Sequence, residues 1–502
     1  MRNKTPMVPL AERTVNMDRI LTHGLSFVDE SGRERIFNGM NIDDKAIGDV
    51  FRYPLDRTFF EKYTANGFNL IRLAVTWANL EPQPEQYSES YLASLDAIFR
   101  LAEEFGVYVL LDMHQDLYSG FDGVGGGDGA PTWACLTDGK QAKPYKFVWA
   151  EAYFFGSWVH NCFDHFWRND KVCGRGLQDR YADLWRMLAA RFGNSPALFG
   201  FDFLNEPAPG SLIKPIILQL LPRAVRAGLL SKQLKRRVLL PALLRGDMQT
   251  VLGNLPGAFL EEVTAKVLPA QAAFDKQYYW PFLCKMAAAV REVTPNGILM
   301  IEQPYLCNGG VRLSVPPIEV NGKREPLQCY GPHAYDFTVD TPLYQYANAD
   351  RVKSFFNEMR RAQLRLNVPT VVGEWGGCSN NKDTSWFPHA NELLDYFDSN
   401  SWGQLYWDYH GDDMDAPLMK MLSRTYPVAV AGRLRSFGRS ADKKAFTLRF
   451  VSDGEGETLL YAHAPCKTET DADTYVKQSF PNGALLLCVR AKKGDCTVTL
   501  TF

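Results

Sequence analysis

The sequence predicts an α/β chain, a (β/α)8 TIM barrel followed by a small C-terminal antiparallel β-sandwich. Three observations carry the prediction. Eight short apolar runs are separated by helix-like segments, polar or aromatic residues sit just past the ends of those runs, and the pattern changes to alternation after Tyr426. The 502 residues allow one large barrel with a satellite domain.

The candidate strands are Phe37 to Ile42, Asn69 to Leu73, Val107 to Asp112, Leu198 to Leu204, Gly297 to Glu302, Gln328 to Tyr330, Thr370 to Gly373 and Gln404 to Trp407. Between them run segments such as Glu89 to Phe105, whose Leu92, Leu95, Ile98, Phe99 and Ala102 recur at helical spacing. Past the strand ends stand Asn41, His114, Asn205 with Glu206, His333 with Tyr335, Glu374 and Trp407. In a barrel these ends form one rim, where active sites are built. A doubly wound sheet does not so readily bring eight consecutive strand ends to one pocket. Ala445 to Val451, Glu457 to His463, Ala484 to Val489 and Cys496 to Phe502 alternate apolar and polar residues between Gly-containing turns, as antiparallel strands of a sandwich do. The expected division is 1–425, the barrel with an N-terminal extension and a helical insertion at about 211–270, and 426–502, the sandwich, which either packs on the barrel or contacts sugar or lipid.

Hydrophobic residues make up 46% and charged residues 22%, which excludes disorder and coiled coil. A net charge of -2 supplies no overall positive field for a polyanion, so no nucleic-acid partner is expected. The ten Cys are scattered without a C-x-x-C pair, as fits reduced thiols better than a disulfide framework or a zinc site. Met1 to Ile20 mixes charges with Pro6 and Pro9 and has no signal-like apolar run, and apolar stretches elsewhere are too short to span a bilayer. The expectation is a cytoplasmic protein, with peripheral contact at membranes.

Leu204-Asn205-Glu206-Pro207 closes the fourth strand and Val372-Gly373-Glu374-Trp375-Gly376 the seventh, so two carboxylates can face each other across one rim. Glycoside hydrolysis needs such a pair. One acid protonates the leaving oxygen, and in the retaining mechanism a carboxylate roughly 5 to 5.5 Å away attacks the anomeric carbon. Glu302, in Ile301-Glu302-Gln303-Pro304, also ends a strand and competes as a carboxylate. His160 and His463 read as core or surface histidines. No H-E-x-x-H and no paired acidic loop appears, so neither metal nor cofactor is implied. Gly123 and Gly125 to Gly127 read as a loop beside the rim that opens no helix, unlike a phosphate cradle.

Over about residues 22 to 425 the sequence resembles glycoside hydrolase family 5, a retaining family of (β/α)8 barrels. Asn205-Glu206 is similar to the family's acid/base motif, Glu374 to its nucleophile, and Gly67-Phe68-Asn69-Leu70-Ile71-Arg72 to its second-strand signature. The resemblance implies that Arg72 pairs with Glu374 and keeps it ionised, while Glu206 starts protonated. It further implies that Asn205 bonds the sugar 2-hydroxyl, Tyr335 holds the nucleophile, His114 and His333 line the site, and Trp407 stacks under the reacting sugar.

Within the family, four stretches resemble the endoglycoceramidase and glucosylceramidase branch, which cleaves sugars from ceramide. They are Leu111-Asp112-Met113-His114-Gln115-Asp116, Gly129-Ala130-Pro131-Thr132-Trp133-Ala134, Phe163-Asp164-His165-Phe166-Trp167 and Tyr426-Pro427-Val428-Ala429-Val430-Ala431-Gly432. That likeness implies that Lys45 and Asp116 bind hydroxyls of the sugar next to the cleaved bond, although Asp43-Asp44 makes the approach to Lys45 more acidic than expected. The function implied is a retaining β-glycosidase acting between sugar and ceramide. Alternatives are a β-glucosidase for another apolar aglycone such as a steryl glucoside, a soluble β-glucan hydrolase, and a binding barrel without catalysis.

Ser211 to Arg245 holds 19 Ala, Val, Ile or Leu residues and eight basic ones (Lys214, Arg223, Arg226, Lys232, Lys235, Arg236, Arg237, Arg245) with no acid. Pro215, Pro222 and Pro241 are expected to cut it into short helices. Two readings follow: a lid that docks on anionic membrane and guides a glycolipid substrate into the cleft, or a helical subdomain whose apolar side packs on the barrel.

Overall fold

The computed structural model describes residues 17–120, 127–145, 148–232, 234–264, 266–341, 343–378, 380, 382–409, 411 and 414–502. Gly123, Gly125 and Gly126 of the glycine-rich loop, and the chain before residue 17, lie outside the described residues.

Eight strands, β1 (Asn38–Asp43), β2 (Leu70–Thr76), β3 (Tyr108–His114), β4 (Leu198–Asp202), β5 (Ile298–Glu302), β6 (Gln328–Gly331), β7 (Val371–Val372) and β8 (Gly403–Tyr409), form one sheet. They pair in parallel in the order β6-β5-β4-β3-β2-β1-β8-β7. The bridge from Tyr330 to Thr370 closes β6 onto β7 and completes the barrel. Helices run between the strands as the periodicity requires. The one at Glu89–Phe105 starts on a Ser88 side-chain cap and buries Leu92, Leu95, Ile98, Phe99 and Ala102.

Alternate residues of a strand share a face, and this sets the height of each side chain inside the barrel. Along β2 the inward positions climb from Leu70 to Arg72; along β3 from Tyr108 and Leu110 to Asp112 and His114; along β5 from Ile298 and Met300 to Glu302. The lower layers are therefore apolar, joined by Phe37, Phe199, Val371 and Leu405. The upper layers are charged.

Ile20 and Phe27 join the lower apolar layer. They come from the hairpin Ile20–His23 and Ser26–Asp29, which continues through Glu34–Arg35 into the C-terminal domain. There Glu34–Arg35 pairs with Tyr426–Val430, and the N-terminal strands complete a seven-stranded sheet with Thr458–Ala462, Leu485–Arg490 and Asp473–Ser479. A second sheet contains Gly432–Arg439, Ala445–Ser452, Gly494–Thr501 and Lys467–Glu469. Phe446, Leu448, Phe450, Leu460, Leu487, Val498 and Leu500 fill the space between the sheets. The sandwich docks through Tyr461, whose hydroxyl donates to the Ala65 carbonyl at 2.7 Å. Its ring lies where a Cβ on Gly67 would stand 2.5 Å away, and Gly67 has φ +80°, so only glycine fits there.

Between β4 and β5 the chain forms α1 (Ile213–Leu230), α2 (Arg236–Arg245), α3 (Met248–Asn254) and α4 (Gly257–Thr264). The prolines do not cut these helices: Pro222 lies inside α1 and Pro241 inside α2. Pro215 falls in the first turn of α1, where N–H groups have no helical partner in any case. Pro222 and Pro241 each remove one bond, and the carbonyls they free belong to the exposed residues Leu218 and Arg237, so the loss falls on the solvent side of each helix. Among the described residues, no helix is long and apolar enough to cross a membrane.

Candidate active site

Arg72 is completely buried at the centre of the upper layer. Its guanidinium donates to Asn41 from β1 (3.0 Å), Asp202 from β4 (3.0 Å), Asn205 just past β4 (2.9 Å), Glu302 from β5 (3.1 Å) and Glu374 past β7 (2.7 Å), and it pairs with Asp112 of β3 at 3.0 Å. One cation cannot neutralise four buried carboxylates, so protons must do the rest. Burial pushes Asp202 up to about 6 against the pull of Arg72. Burial and the nearby Asp202 hold Glu302 well above the ordinary carboxylate range.

Glu302 is thus part of the support and not a rival nucleophile. It accepts the backbone N–H of Glu206 and pins that residue in a left-handed conformation, φ +43°, a strain that the surroundings must hold. The Glu206 side chain is then reached by Asn308 Nδ2 at 2.5 Å and by His333 Nδ1 at 3.2 Å. Burial drives the His333 proton affinity well below normal, so the imidazole is neutral. A Cβ on Gly373 would lie 2.5 Å from its Nε2, which reserves that position before Glu374 for glycine.

Glu374 is held from two sides. Arg72 donates to Oε1, and the Tyr335 hydroxyl donates to Oε2 at 2.7 Å. Single oxygens of Glu206 and Glu374, with a ring nitrogen of His333, all lie within 4.8 Å of one another. Burial raises Glu374 to about 7 in spite of Arg72, so the cation does not by itself keep this carboxylate ionised as expected. Burial, with the charges of Glu374 and Asp116, also raises Glu206 well above its ordinary value. Glu206, which lacks the Arg72 contact that favours an ionised Glu374, is the acid placed to hold a proton.

Beside this pair, Lys45 Nζ meets Asp116 at 2.6 Å, Asp128 at 3.8 Å and Asp43 at 3.9 Å, and lies 4.6 Å from the centroid of the Trp407 ring. Trp407 stacks on His114 with centroids 5.0 Å apart. Burial opposes a charge on His114, but Asp112, bonded to Nδ1 at 2.8 Å, and Asp116 together outweigh it and raise the proton affinity of the imidazole well above normal. The acidity at Asp43-Asp44 divides: Asp43 faces Lys45, while Asp44 accepts the backbone N–H of Arg52 at 2.8 Å.

All ten sequence-derived site residues (Lys45, Arg72, His114, Asp116, Asn205, Glu206, His333, Tyr335, Glu374 and Trp407) thus fall into one network of contacts. His160 and His463 stand apart from it, on the Tyr153 carbonyl and the Thr425 hydroxyl. Sequence reasoning missed Asn308, Asp202 and Asp128. Asp202 shares the run Phe201-Asp202-Phe203, where a lone acid inside an apolar strand could have drawn attention; Asn308 gives no such signal. Among the described residues, three groups of acids and histidines have the spacing of metal ligands. Two already face a protein cation: Asp112, Asp202 and Glu302 surround Arg72, and His114, Asp116 and Asp128 adjoin Lys45. The third contains the Glu206–Glu374 pair.

A closed (β/α)8 barrel with two facing buried carboxylates at its C-terminal rim, only one of them held by a cation, has the site of a glycoside hydrolase. The chain belongs to the cellulase family, glycosyl hydrolase family 5, whose family model matches residues 28–214 and 278–413. Residues 215–277, which contain α1 to α4 apart from the start of α1, fall in the gap between the matched segments. The chain is 31% identical over 481 residues to endoglycoceramidase of Hydra vulgaris, covering 86% of this chain and 78% of that one. It is 31% identical over 500 residues to endoglycoceramidase I of Rhodococcus hoagii (strain 103S), covering 95% and 87%. The solved structure of endo-glycoceramidase II from Rhodococcus sp. has the same fold, with a TM-score of 0.71 at 22% identity over 95% of this chain and 99% of that one.

Proposed function

We propose that the protein is a retaining β-glycosidase that cleaves the bond between sugar and ceramide in glycosphingolipids. The observation that carries the mechanism is the Glu206–Glu374 pair, with oxygens within 4.8 Å, Glu374 held by Arg72 and Tyr335, and Glu206 bonded to no cation among the described residues. So close an approach is nearer to the roughly 5 to 5.5 Å of a retaining pair than to the roughly 6.5 to 9.5 Å of an inverting one.

Glu374 attacks the anomeric carbon while Glu206 passes its proton to the leaving oxygen. Once Glu374 is esterified its charge is gone, the affinity of Glu206 for a proton drops, and Glu206 can take one from the water that releases the sugar. Arg72 and Tyr335 orient the nucleophile, and Asn205 presents its amide near the sugar 2-hydroxyl. Lys45, Asp116 and Trp407 bind the glycone beyond. The ceramide aglycone is supported by the endoglycoceramidase relatives, which match most of this chain. A peripheral contact of residues 211–245 with anionic membrane belongs to the same reading.

The test is hydrolysis of detergent-solubilised glucosylceramide, a longer ganglioside-type lipid, a steryl glucoside and a soluble β-glucan, with the products identified by mass. Ceramide released from either sphingolipid is the expected result. Free glucose from the first defines a glucosylceramidase, and intact oligosaccharide from the second an endoglycoceramidase. Turnover confined to the steryl glucoside or the glucan would overturn the ceramide assignment.

A further inference from the structure

Helix α1 is apolar on two opposite sides. Ile213, Ile216 and Ala227 are buried toward the protein. On the other side Leu218, Leu221, Val225 and Leu229, spaced by three and four residues, form a stripe that is 66, 53, 60 and 68% exposed. A helix at the surface of a water-soluble domain carries polar residues there. Helix α2 repeats the pattern: Leu239 and Ala242 pack against Val251, while Leu240, Leu243 and Leu244 face solvent. The second reading of the insertion, with its apolar side spent against the barrel, accounts for only half of these residues.

The same exposure recurs on three other loops. Ile47 and Val50 follow β1, Phe155 lies between β3 and β4, and Phe337 follows β6; each is large, apolar and exposed, Phe155 to 81%. With the insertion after β4, these belong to the loops that leave the C-terminal ends of the barrel strands, where Glu206 and Glu374 also stand. The apolar side chains are thus carried by the same end of the barrel as the Glu206–Glu374 pair.

We propose that this C-terminal face, and not the insertion alone, is a docking plane for an anionic phospholipid bilayer, with the cleft opening onto the membrane surface. The occupant follows from charge and shape. Residues 211–245 carry eight basic side chains and no acid. Among the described ion pairs none involves any of the eight; Arg223 and Arg236 donate to backbone carbonyls, which leaves their charge uncompensated. A surface of net negative charge over an apolar interior complements leucines interleaved with Lys and Arg. A fluid bilayer also accepts side chains from four separate loops without a matching shape. The use of the plane, delivery of a membrane-held glycolipid to the cleft, rests on the proposed substrate; the docking itself does not.

The test is co-sedimentation of the full chain with vesicles that contain no glycolipid, of phosphatidylcholine alone and with about one third phosphatidylserine. Binding to the anionic vesicles that weakens with salt is expected. It should fall about tenfold or more in Leu218→Ser/Leu229→Ser and severalfold in Phe155→Ser, while Tyr475→Ser/Val476→Ser, on the C-terminal domain, leaves it unchanged. Turnover of a soluble aryl glycoside, where the chain has it, should be equal in all of these variants. Equal vesicle binding by wild type and the double leucine variant would overturn the proposal. So would self-association that the leucine substitutions abolish while no form binds vesicles, which would make the stripe an interface between copies. Loss in the leucine variant with no effect of Phe155→Ser would confine the contact to the insertion and overturn the docking plane. Because the vesicles lack glycolipid, failure of the ceramide reading leaves every one of these outcomes unchanged.

Discussion

Asn308 donates its side-chain amide to Oε1 of Glu206 at 2.5 Å, and it can do so in only one orientation. Its Oδ1 is taken by Gln303 Nε2 at 2.7 Å, and Gln303 Oε1 in turn accepts the Tyr330 hydroxyl at 2.7 Å. The amide dipoles are therefore fixed, with the N–H end of the chain aimed at the acid.

A donor bonded to a carboxylate favours its ionised form, so Asn308 eases the loss of the Glu206 proton and helps that residue act as a base afterwards. Asn308→Ala should move the alkaline limb of the kcat/KM profile to higher pH and lower kcat about tenfold, the worth of one hydrogen bond to a charged group. KM should change little. Asn308→Asp, which adds a negative charge beside Glu206, should move the limb further still. An alkaline limb that stays in place in both variants would remove Asn308 from the proton machinery.

How far this site could be read in the sequence depended on what each residue does along its own strand. Glu206, Glu374 and His114 sit where an apolar run ends, a local pattern, and Arg72 lies inside one. Its pairing with Glu374 came from the family resemblance; the rest of what Arg72 joins could not be read, because Asn41, Asp112, Asp202 and Glu302 come to it from four other strands, and inward parity on each depends on barrel closure. Asn308 sits in a short turn after β5 with no periodicity at all. In the same way, Ala445–Ser452 was legible as an alternating strand, whereas Glu34–Arg35 was not, since its partner lies at Ala429–Val430, nearly the whole chain away. Short strands paired at such separation carry no local signature.

Turnover should depend on pH in a direction that follows from the two acids. The competent form has Glu374 ionised and Glu206 protonated. Burial raises Glu374 to about 7, so kcat/KM should rise as pH increases toward neutrality and fall only on the alkaline side, where Glu206 loses its proton. Tyr335→Phe removes a donor to Glu374, and the acid limb should then move to higher pH. Glu374→Gln should cost about a thousandfold or more in kcat on every substrate. Glu206→Gln should spare attack on an activated aryl glycoside but stall sugar release, with azide restoring turnover as a glycosyl azide. Equal loss on activated and natural substrates in Glu206→Gln would reverse the assignment of the two roles.

Arg72 tests whether the upper layer is one unit. Arg72→Met deletes the cation shared by Asp112, Asp202, Glu302 and Glu374, all buried. Removing one partner of a buried ion pair costs about 3–5 kcal/mol, so the urea midpoint should fall by that equivalent. Arg72→Lys keeps the charge but cannot fork to six acceptors; it should recover part of the stability while kcat stays about a hundredfold or more below wild type. Full activity in the lysine variant would mean that charge alone, and not the guanidinium geometry, holds the nucleophile.

The same burial that tunes the site makes folding pH-dependent, and Asp275, remote from the chemistry, isolates the effect. Its oxygens accept from Ser314 N–H at 2.7 Å and Gln271 Nε2 at 2.8 Å, yet burial outweighs both and lifts it to about 7. A carboxyl raised in the folded state stabilises fully below its unfolded value near 4, and that contribution disappears as pH rises through about 7. Asp128, Asp202, Glu374 and Asp398, at about 7, 6, 7 and 6, carry the same sign. The urea midpoint of the wild type should therefore decline between about pH 5 and 8. Asp275→Asn cannot ionise. Gln271 Oε1 has no hydrogen-bond partner, so the Gln271 amide can turn over and accept the new N–H while the substituted carbonyl keeps Ser314. The variant should match the wild type at about pH 5 and exceed it at about pH 8. A parallel decline in both proteins would show that Asp275 keeps its ordinary proton affinity in the folded chain.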